Sequence, residues 1–301
     1  MRVAAIGIGS NSLRMLVADL TDGKLYRIKR YRAGLRIFAA LDENRNITDE
    51  MIRTACDKVC EFKQEAISMG AEAVHLFATS AVRDAANQEA FSDALLTQTE
   101  LPLEICSGDL EAHLSFWGAS EGEESGVIDI GGGSTEIVLG SKGTITDAVS
   151  LQMGAVRLYR MQPIQSIQEA EQVVLTGMSI IEPVRQRFLS QKKTEWTGVG
   201  GTFTTGAAVV QRIPWQMREN IHGFKLTMEN VQQALELLAP MSVEERLKLD
   251  YLQPQRADIV VHGIAILLAC MRSLNISSIT VSECGNLEGY LKVKYLFDKK
   301  N

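Results

Sequence analysis

The stretch "AAIGIGSNSLRMLVADL", residues 4–20, has the pattern of two apolar strands joined by a short polar loop. A second stretch, "GVIDIGGGSTEIVLGSK", residues 126–142, repeats the pattern at a constant offset of 122 (129 − 7). The matched pairs are Gly7 with Asp129, Gly9 with Gly131 and Ser12 with Ser134. This internal repeat predicts two related domains that each open with a glycine hairpin.

The composition is that of an ordinary globular chain that is long enough for two domains. The 301 residues are 46% hydrophobic and 23% charged, average values that argue against disorder. A net charge of −6 argues against a protein that coats nucleic acid. Five irregularly spaced cysteines indicate no disulfide framework. With no leader pattern and no apolar run of about 20 residues, we expect a cytoplasmic protein without membrane contact.

One segment departs from the acidic balance. Residues 24–36, "KLYRIKRYRAGLR", carry six basic side chains and no acidic one. A solvated strand with charged edges explains such a run without any ligand. Because the segment follows a loop of the phosphate-binding type, an anion-binding role is the alternative.

The hydrophobic periodicity predicts the order βββαβαβα for the first half of the chain. The second half opens with three strands again and continues with long helices, including a buried helix after Pro254. Its last segment, "ISSITVSECGNLEGYL", predicts a strand, a turn and a helix. The polar stretch "EGEES", residues 121–125, is the predicted boundary, which gives domains at 1–122 and 123–301.

Three glycine loops are candidate anion sites, with the sequences "GIGSNS", "DIGGGST" and "GVGGTFTT". Successive backbone amides that point inward form a concave anion site, and glycine allows the close approach. One such loop is weak evidence, because hairpins also use Gly, Ser and Asn for turn geometry. Two related hairpins and a third loop at a helix start together favour phosphate binding.

Eight segments occur in the order typical of a known family: "GSNSLRMLVADL", "FATSAVRDAANQEAF", "SGDLEAHLSFWGA", "VIDIGGGSTEIVLG", "MGAVRLYR", "GVGGTFTT", "QRADIVVHGIAIL" and "GNLEGYL". On these motifs the chain resembles the exopolyphosphatase and guanosine pentaphosphate phosphatase family, in its short two-domain form. The resemblance implies an α/β fold with two ribonuclease H-like domains of the actin-like ATPase superfold. It also implies hydrolysis of a terminal phosphoryl group in a cleft between them.

The resemblance further implies roles for individual residues. Glu111 matches the family's catalytic base, and Arg83 matches an arginine that faces substrate phosphates. Asp129 matches the carboxylate that holds Mg²⁺, with Mn²⁺ as an alternative. The loop residues expected to bind phosphate are Ser10, Asn11, Ser12, Gly131, Gly132, Gly133, Ser134, Thr135, Gly201 and Thr202. Arg36 and Arg157 are weaker candidates, and Asp109 is expected to cap the helix that carries Glu111.

Three positions depart from the family pattern. Gly7 stands where the family has an aspartate, Leu287 where it has an arginine, and Gln255 where it often has a glutamate. The main hypothesis is an exopolyphosphatase that acts on inorganic polyphosphate. The alternatives are a guanosine pentaphosphate 5′-phosphohydrolase and a phosphate-polymer or nucleotide sensor with weakened catalysis. A kinase of the same superfold fits the motifs less well, and a homodimer is expected from the resemblance.

Overall fold

The computed structural model describes residues 1–120, 124–189 and 194–297. These residues form two compact units. The first unit contains Met1–Gly118 together with the described residues from Asn286 onward, and the second contains Ala119–Gly285. The predicted boundary between residues 122 and 123 lies outside the described residues. No helix in the described part of the chain is both long and apolar enough to cross a bilayer.

The first unit is built on a five-stranded sheet with the order β3-β2-β1-β4-β5. Its strands are β1 (Arg2–Ile8), β2 (Ser12–Thr21), β3 (Lys24–Gly34), β4 (Ala73–Ala78) and β5 (Leu103–Ile105). Its helices are α1 (Asp49–Ser68), α2 (Ser80–Arg83), α3 (Gln88–Thr99) and α4 (Gly108–Ala119). The first three strands pair antiparallel, whereas β4 and β5 are parallel to β1 and β4, respectively.

The second unit has a six-stranded sheet with the order β10-β11-β9-β6-β7-β8. Its strands are β6 (Glu124–Ile130), β7 (Thr135–Ser141), β8 (Thr144–Leu151), β9 (Glu195–Val199), β10 (Lys225–Thr227) and β11 (Ser278–Ser282). Its helices are α5 (Ala155–Met161), α6 (Ile167–Ile181), α7 (Arg185–Phe188), α8 (Gly201–Gln211), α9 (Met228–Leu238), α10 (Val243–Arg246) and α11 (Val260–Ser273). Read from β8, the sheet repeats the strand order of the first unit and adds β10 at its edge.

The core of the second unit surrounds α11, which is buried along nearly its whole length. The helix packs against α5, α6, α8 and α9, so it has no polar face to present to solvent. A helix that is apolar on all sides is typical of a protein interior. This agrees with the buried helix that the sequence predicts after Pro254.

The chain returns to the first unit at its C-terminal end, where helix α12 (Asn286–Lys292) is followed by the π-helical turn Val293–Phe297. Leu287, Tyr290 and Leu291 of α12 join the core cluster of the first sheet. The sequence analysis assigns these residues to the domain that begins at 123, and the structure differs. Spacing of i, i+3 and i+4 predicts a helix with one buried face, but it does not predict which sheet covers that face.

Candidate functional site

The two glycine hairpins have the same backbone geometry. In the first, the amide of Gly9 donates to the carbonyl of Ser12 at 3.1 Å; in the second, the amide of Gly131 donates to the carbonyl of Ser134 at 3.0 Å. The strand registers also correspond at the offset of 122, because Gly7 lies opposite Arg14 and Asp129 lies opposite Glu136. The sequence repeat is therefore a structural repeat.

The first loop uses its carbonyl groups and leaves amides available. The carbonyl of Asn11 accepts from the amides of Leu35 and Arg36, both at 3.2 Å, and the carbonyl of Ser10 accepts from Phe38 at 3.0 Å. Within the described part of the chain, no acceptor binds the amides of Ser10 or Asn11. Two neighbouring amide donors without an acceptor among the described residues fit a phosphate ligand.

Polar side chains of the first loop are buried beside these amides. Ser10, Asn11 and Ser12 are all at most 7% exposed. The hydroxyl of Ser10 lies 2.8 Å from that of Ser80 at the start of α2. Neither Nδ2 nor Oδ1 of Asn11 has a hydrogen-bond partner among the described residues. Because a buried amide side chain without partners costs free energy, a ligand at this loop would compensate Asn11.

Arg83 and Glu111 form a partly buried ion pair in the first unit. Arg83 is the last residue of α2, which follows β4, and Glu111 lies in the first turn of α4, which follows β5. Nη1 of Arg83 donates to Oε2 of Glu111 at 3.0 Å and to the carbonyl of Cys106 at 2.9 Å. The carboxyl ends of parallel strands meet at one edge of a sheet, which explains why residues 28 positions apart come together.

Arg83 has a second acidic neighbour. Asp84 Oδ1 lies 3.9 Å from Nε, farther than Glu111, and ion pairs with these two residues would explain the arginine without a ligand. Nη2 of Arg83 is buried and has no partner among the described residues. One arm of the guanidinium therefore orients the carboxylate, and the other retains a donor for an anionic ligand.

The cap of α4 differs from the expected one. The hydroxyl of Ser107 accepts from the amide of Leu110 at 3.1 Å, so Ser107 caps the helix, whereas Asp109 lies exposed within the first turn. An acidic residue in a first turn is favoured by the helix dipole as well as by capping, so sequence alone does not separate the two roles. Burial of the adjacent Cys106 raises the pKa of its thiol to about 12, which leaves this cysteine uncharged.

The second loop is held by helix α5. The carbonyl of Gly132 accepts from Val156 and Arg157, and that of Gly131 accepts from Ala155, all at 2.9–3.0 Å. A Cβ on Gly154 would lie 2.4 Å from the carbonyl group of Gly132, so only glycine allows this approach. Within the described ranges, the amides of Gly132 and Gly133 have no acceptor. As in the first loop, the carbonyls bind protein and the amides are available.

Side chains of the second loop divide between structural and available groups. The hydroxyl of Thr135 donates to the carbonyl of Met153, and Nε of Arg157 donates to the carbonyl of Gly133 at 2.7 Å. Thr135 and Arg157 thus support the loop from outside it. The hydroxyl of Ser134 is buried and lacks a partner in the described part of the chain. Ser134 is therefore the side chain of this loop that is placed to bind a ligand.

Asp129 and Glu136 bring two carboxylates to one face of the second sheet. They lie opposite each other on antiparallel strands, and both are buried, at 7% and 1% exposure. Directly opposite residues of an antiparallel pair share a face. Glu136 Oε1 accepts from the hydroxyl of Ser150 at 2.7 Å. This pair is a set of hard oxygen donors such as Mg²⁺ prefers.

The third loop lies directly beside Asp129. Gly200 caps α8 with φ of 99°, and a Cβ there would lie 2.8 Å from Oδ1 of Asp129. Gly201 is covered by Arg256, whose Nη2 lies 1.8 Å from the place of a Cβ. Thr202 packs against Gly263 of α11. The second and third loops and the Asp129 carboxylate therefore form one local site in the second unit.

Sequence reasoning missed three residues at these loops: Ser80, Arg14 and Arg256. Arg14 is the first-hairpin counterpart of Glu136, and the offset of 122 contained the signal for it. Arg256 stands in the motif "QRAD", but only the fold shows that it covers Gly201. No group of three or more His, Cys, Asp or Glu side chains within residues 1–120, 124–189 and 194–297 is arranged as a metal cluster.

Three of the four histidines form hydrogen bonds within the protein. His75 lies 2.7 Å from the hydroxyl of Tyr295, and Nδ1 of His222 accepts from the amide of Glu283. Nε2 of His262 donates to the carbonyl of Gln162 at 2.8 Å. Burial lowers the pKa of His262 to about 4, so it is neutral at physiological pH.

Comparisons with known proteins identify the family of the chain. The profile of the Ppx/GppA phosphatase family matches residues 16–296. Exopolyphosphatase 2 of Mycobacterium tuberculosis is 30% identical over an alignment 312 residues long, which covers 96% of this chain and 97% of that protein. A protein of Haemophilus influenzae named putative exopolyphosphatase is 28% identical over an alignment that covers 96% of this chain and 90% of that protein.

A solved structure of the Aquifex aeolicus PPX-GPPA enzyme superposes with a TM-score of 0.82 at 27% identity, covering 97% of this chain and 98% of that chain. The exopolyphosphatase of Cytophaga hutchinsonii, at 23% identity and a TM-score of 0.87, shares the fold and covers 98% and 97% of the two chains. The two related mixed sheets are the α/β architecture of the actin-like ATPase superfold, as predicted. The chain belongs to the Ppx/GppA phosphatase family.

Proposed function

We propose that the protein is an exopolyphosphatase that removes the terminal phosphate of inorganic polyphosphate. One observation carries the proposal: each glycine hairpin offers backbone amides and a buried polar side chain, Asn11 or Ser134, that no described residue satisfies. The partly buried Arg83–Glu111 pair would supply a base in the unit of the first hairpin. The relatives named exopolyphosphatases support the same chemistry.

Glu111 would orient and deprotonate the attacking water. Phosphoryl transfer requires little covalent chemistry from the protein, so positioning and charge stabilisation dominate. Arg83 holds one oxygen of Glu111 and would direct its remaining Nη2 donor toward a phosphoryl oxygen. The loop amides would neutralise the other phosphoryl oxygens. The location of this reaction in a cleft between the domains stays a prediction.

Mg²⁺, or Mn²⁺ in its place, fits the donors of the second hairpin. Magnesium is commonly held by one or two carboxylates together with substrate phosphates and water. Asp129 would provide the protein carboxylate, with Glu136 on the same face of the sheet. When bound, the ion neutralises negative charge on the phosphates. Gly201 and Thr202 begin α8 beside Asp129 and would bind phosphate there.

Orthophosphate release from long-chain polyphosphate tests the proposal directly. We expect Glu111→Gln to lower kcat by about 10²–10⁴, the range for loss of a general base. Asp109→Asn is the matched control, because Asp109 lies in the same helical turn but is exposed. If wild type releases no phosphate at saturating substrate with either metal, the proposal is wrong.

The alternatives give different outcomes in the same assay. A guanosine pentaphosphate 5′-phosphohydrolase would release phosphate faster from that nucleotide than from polyphosphate. A sensor with weakened catalysis, for which Gly7, Leu287 and Gln255 are the motivation, would be stabilised against heat by ligand without turnover. The retained Glu111–Arg83 pair favours hydrolysis, since a sensor does not need a base. A homodimer and a cytoplasmic location stay predictions.

A further inference from the structure

The edge strand of the first sheet carries cations that the site described above does not use. β3 pairs with β2 on one side, and no strand of the described residues pairs with it on the other. Most of its side chains are exposed. Residues 24–36 hold six of the 31 Lys and Arg residues and none of the 37 acidic ones. The strand therefore gives an acidic chain one strongly basic edge.

The register places the arginines of β3 on a single face. Arg30 lies opposite Leu16, and Arg27 lies opposite Ala18, two residues of the core cluster that α12 covers. Arg27 and Arg30 are three residues apart and would face opposite sides in a regular strand. The register shift between Val17 and Ala18 removes that difference. The bulge thus places Arg27 and Arg30 on the same face of the sheet, the face that α12 covers.

A pair of like charges continues this face toward the glycine loop. Arg32 lies directly opposite Arg14 on β2. Like charges in such positions repel and destabilise a sheet. Arg14 donates to the neutral amide oxygen of Asn286 at 3.2 Å, and it forms no ion pair with any residue that the structure describes. The pair concentrates positive charge near the first glycine loop, which favours binding of an anion there.

The strand leads directly into the first glycine loop. Gly34 at the end of β3 pairs with Ser12, and the next two amides, of Leu35 and Arg36, both donate to the carbonyl of Asn11. A strand rises about 3.3 Å per residue, so the stretch from Arg27 to Gly34 spans roughly 20 Å. An anion at the loop and anions along β3 would therefore form one continuous path.

We propose that Arg14, Arg27, Arg30 and Arg32, here called the arginine track, dock the distal phosphates of a linear polyphosphate chain. The inference rests on the proposed function and deepens it, because it predicts a preference for long chains. Arg30 already pairs with the buried carboxylate of Glu288, so Arg27 is the better test of the distal end. The other β3 side chain paired on this face is Leu25, opposite Leu20, so no described β3 side chain of this face is aromatic, and the rings of Phe77 and Tyr290 in the cluster are buried. A polyanion without bases is therefore favoured over single-stranded nucleic acid.

The test compares KM for long-chain polyphosphate with KM for tripolyphosphate. Arg27→Gln is compared with Lys29→Gln, which removes the same charge from the opposite face, where Lys29 lies 5.0 Å from the ring of Tyr31. We expect Arg27→Gln to raise the long-chain to short-chain KM ratio about threefold to tenfold, and Lys29→Gln to leave it unchanged. The slope of log KM against log salt should fall by about 0.7–0.9 for Arg27→Gln only.

Three results would overturn the arginine track: an unchanged ratio in Arg27→Gln, an equal rise in Lys29→Gln, or equally effective competition by single-stranded RNA of the same charge. The proposed function has a separate readout. If wild type hydrolyses neither substrate, the exopolyphosphatase proposal fails, and calorimetric binding of long-chain polyphosphate to the two variants then decides the inference by the same difference.

Discussion

The two glycine hairpins share a backbone conformation and differ in the charge of their side chains. Both turns close with the same hydrogen bond, and a Cβ on Gly9 or Gly131 would meet the corresponding carbonyl at 3.3 or 3.2 Å. Yet the second hairpin presents Asp129 opposite Glu136, whereas the first presents Gly7 opposite Arg14. The same turn thus presents two carboxylates in one unit and an arginine in the other.

The space beside Gly7 is filled with apolar groups. A Cβ there would lie 2.8 Å from Cζ of Phe77 and 3.3 Å from Cδ2 of Leu287. Phe77 in turn stacks on Tyr290, with ring centroids 4.5 Å apart. Gly7 and Leu287, two of the three departures from the family pattern, therefore lie together in the same packing arrangement. Of the two hairpins, only the second therefore presents the carboxylates that the proposed metal ion would need.

The largest effect is expected from removing the carboxylate of Asp129, which has no counterpart in the first hairpin. Asp129→Asn should lower activity at limiting Mg²⁺ by roughly 100-fold or more, since Mg²⁺ has few protein ligands. The measurement is phosphate release across a magnesium titration. Asp147→Asn, which loses only a surface partner of Arg187, is the control. Unchanged magnesium dependence in Asp129→Asn would remove the contrast between the hairpins.

Restoring a carboxylate to the first hairpin should destabilise the protein. Gly7→Asp forces a Cβ against Phe77 and buries a charge among apolar groups, which we expect to cost about 2–4 kcal/mol of unfolding free energy. Denaturant unfolding measures this cost, and Gly7→Ala separates the steric part from the charge. A Gly7→Asp protein as stable as wild type and more active would show that the position is a lost ligand site.

Acid should affect the second unit through His262. Its pKa is lowered to about 4 by burial, and an unfolded histidine titrates near 6.5. The neutral, buried imidazole therefore contributes up to about 3 kcal/mol to the free energy of unfolding. This contribution is complete above about pH 6.5 and is lost as the pH falls toward 4. Urea unfolding of wild type and His262→Gln between pH 7 and 4 measures it. If the free energies of unfolding of the two proteins have the same pH dependence, the imidazole stays uncharged on unfolding and the prediction is wrong.

The smallest predicted effect concerns the contact between Gly200 and Asp129. Gly200→Ala adds a Cβ at a position of positive φ, 2.8 Å from Oδ1 of Asp129. We expect this change to lower the free energy of unfolding by about 1–2 kcal/mol and to weaken the dependence of activity on magnesium. Gly143→Ala is the matched control, because φ there is 81° and no atom lies within 4 Å. Equal magnesium dependence in the two variants would show that Gly200 does not position Asp129.

Much of the site was predictable because it is local in sequence. The loops around Gly9, Gly131 and Gly201 form turns whose geometry depends on adjacent residues, and the constant offset identified the repeat. The pairing of Arg83 with Glu111 was not predictable from local pattern, since it depends on α2 and α4 following neighbouring parallel strands. The capping of α4 by Ser107 was also missed, because acids and hydroxyls compete for helix starts.

By itself the sequence determined the strand and helix order, the two glycine hairpins and the family, since periodicity, turn chemistry and motif order are properties of the linear chain. Only the tertiary structure decided that α12 packs with the first unit, that Phe77 and Leu287 fill the space beside Gly7, and that Arg256 covers Gly201. Such contacts join residues far apart in the chain. They depend on which surfaces exclude water together, and an apolar pattern specifies burial without specifying the partner.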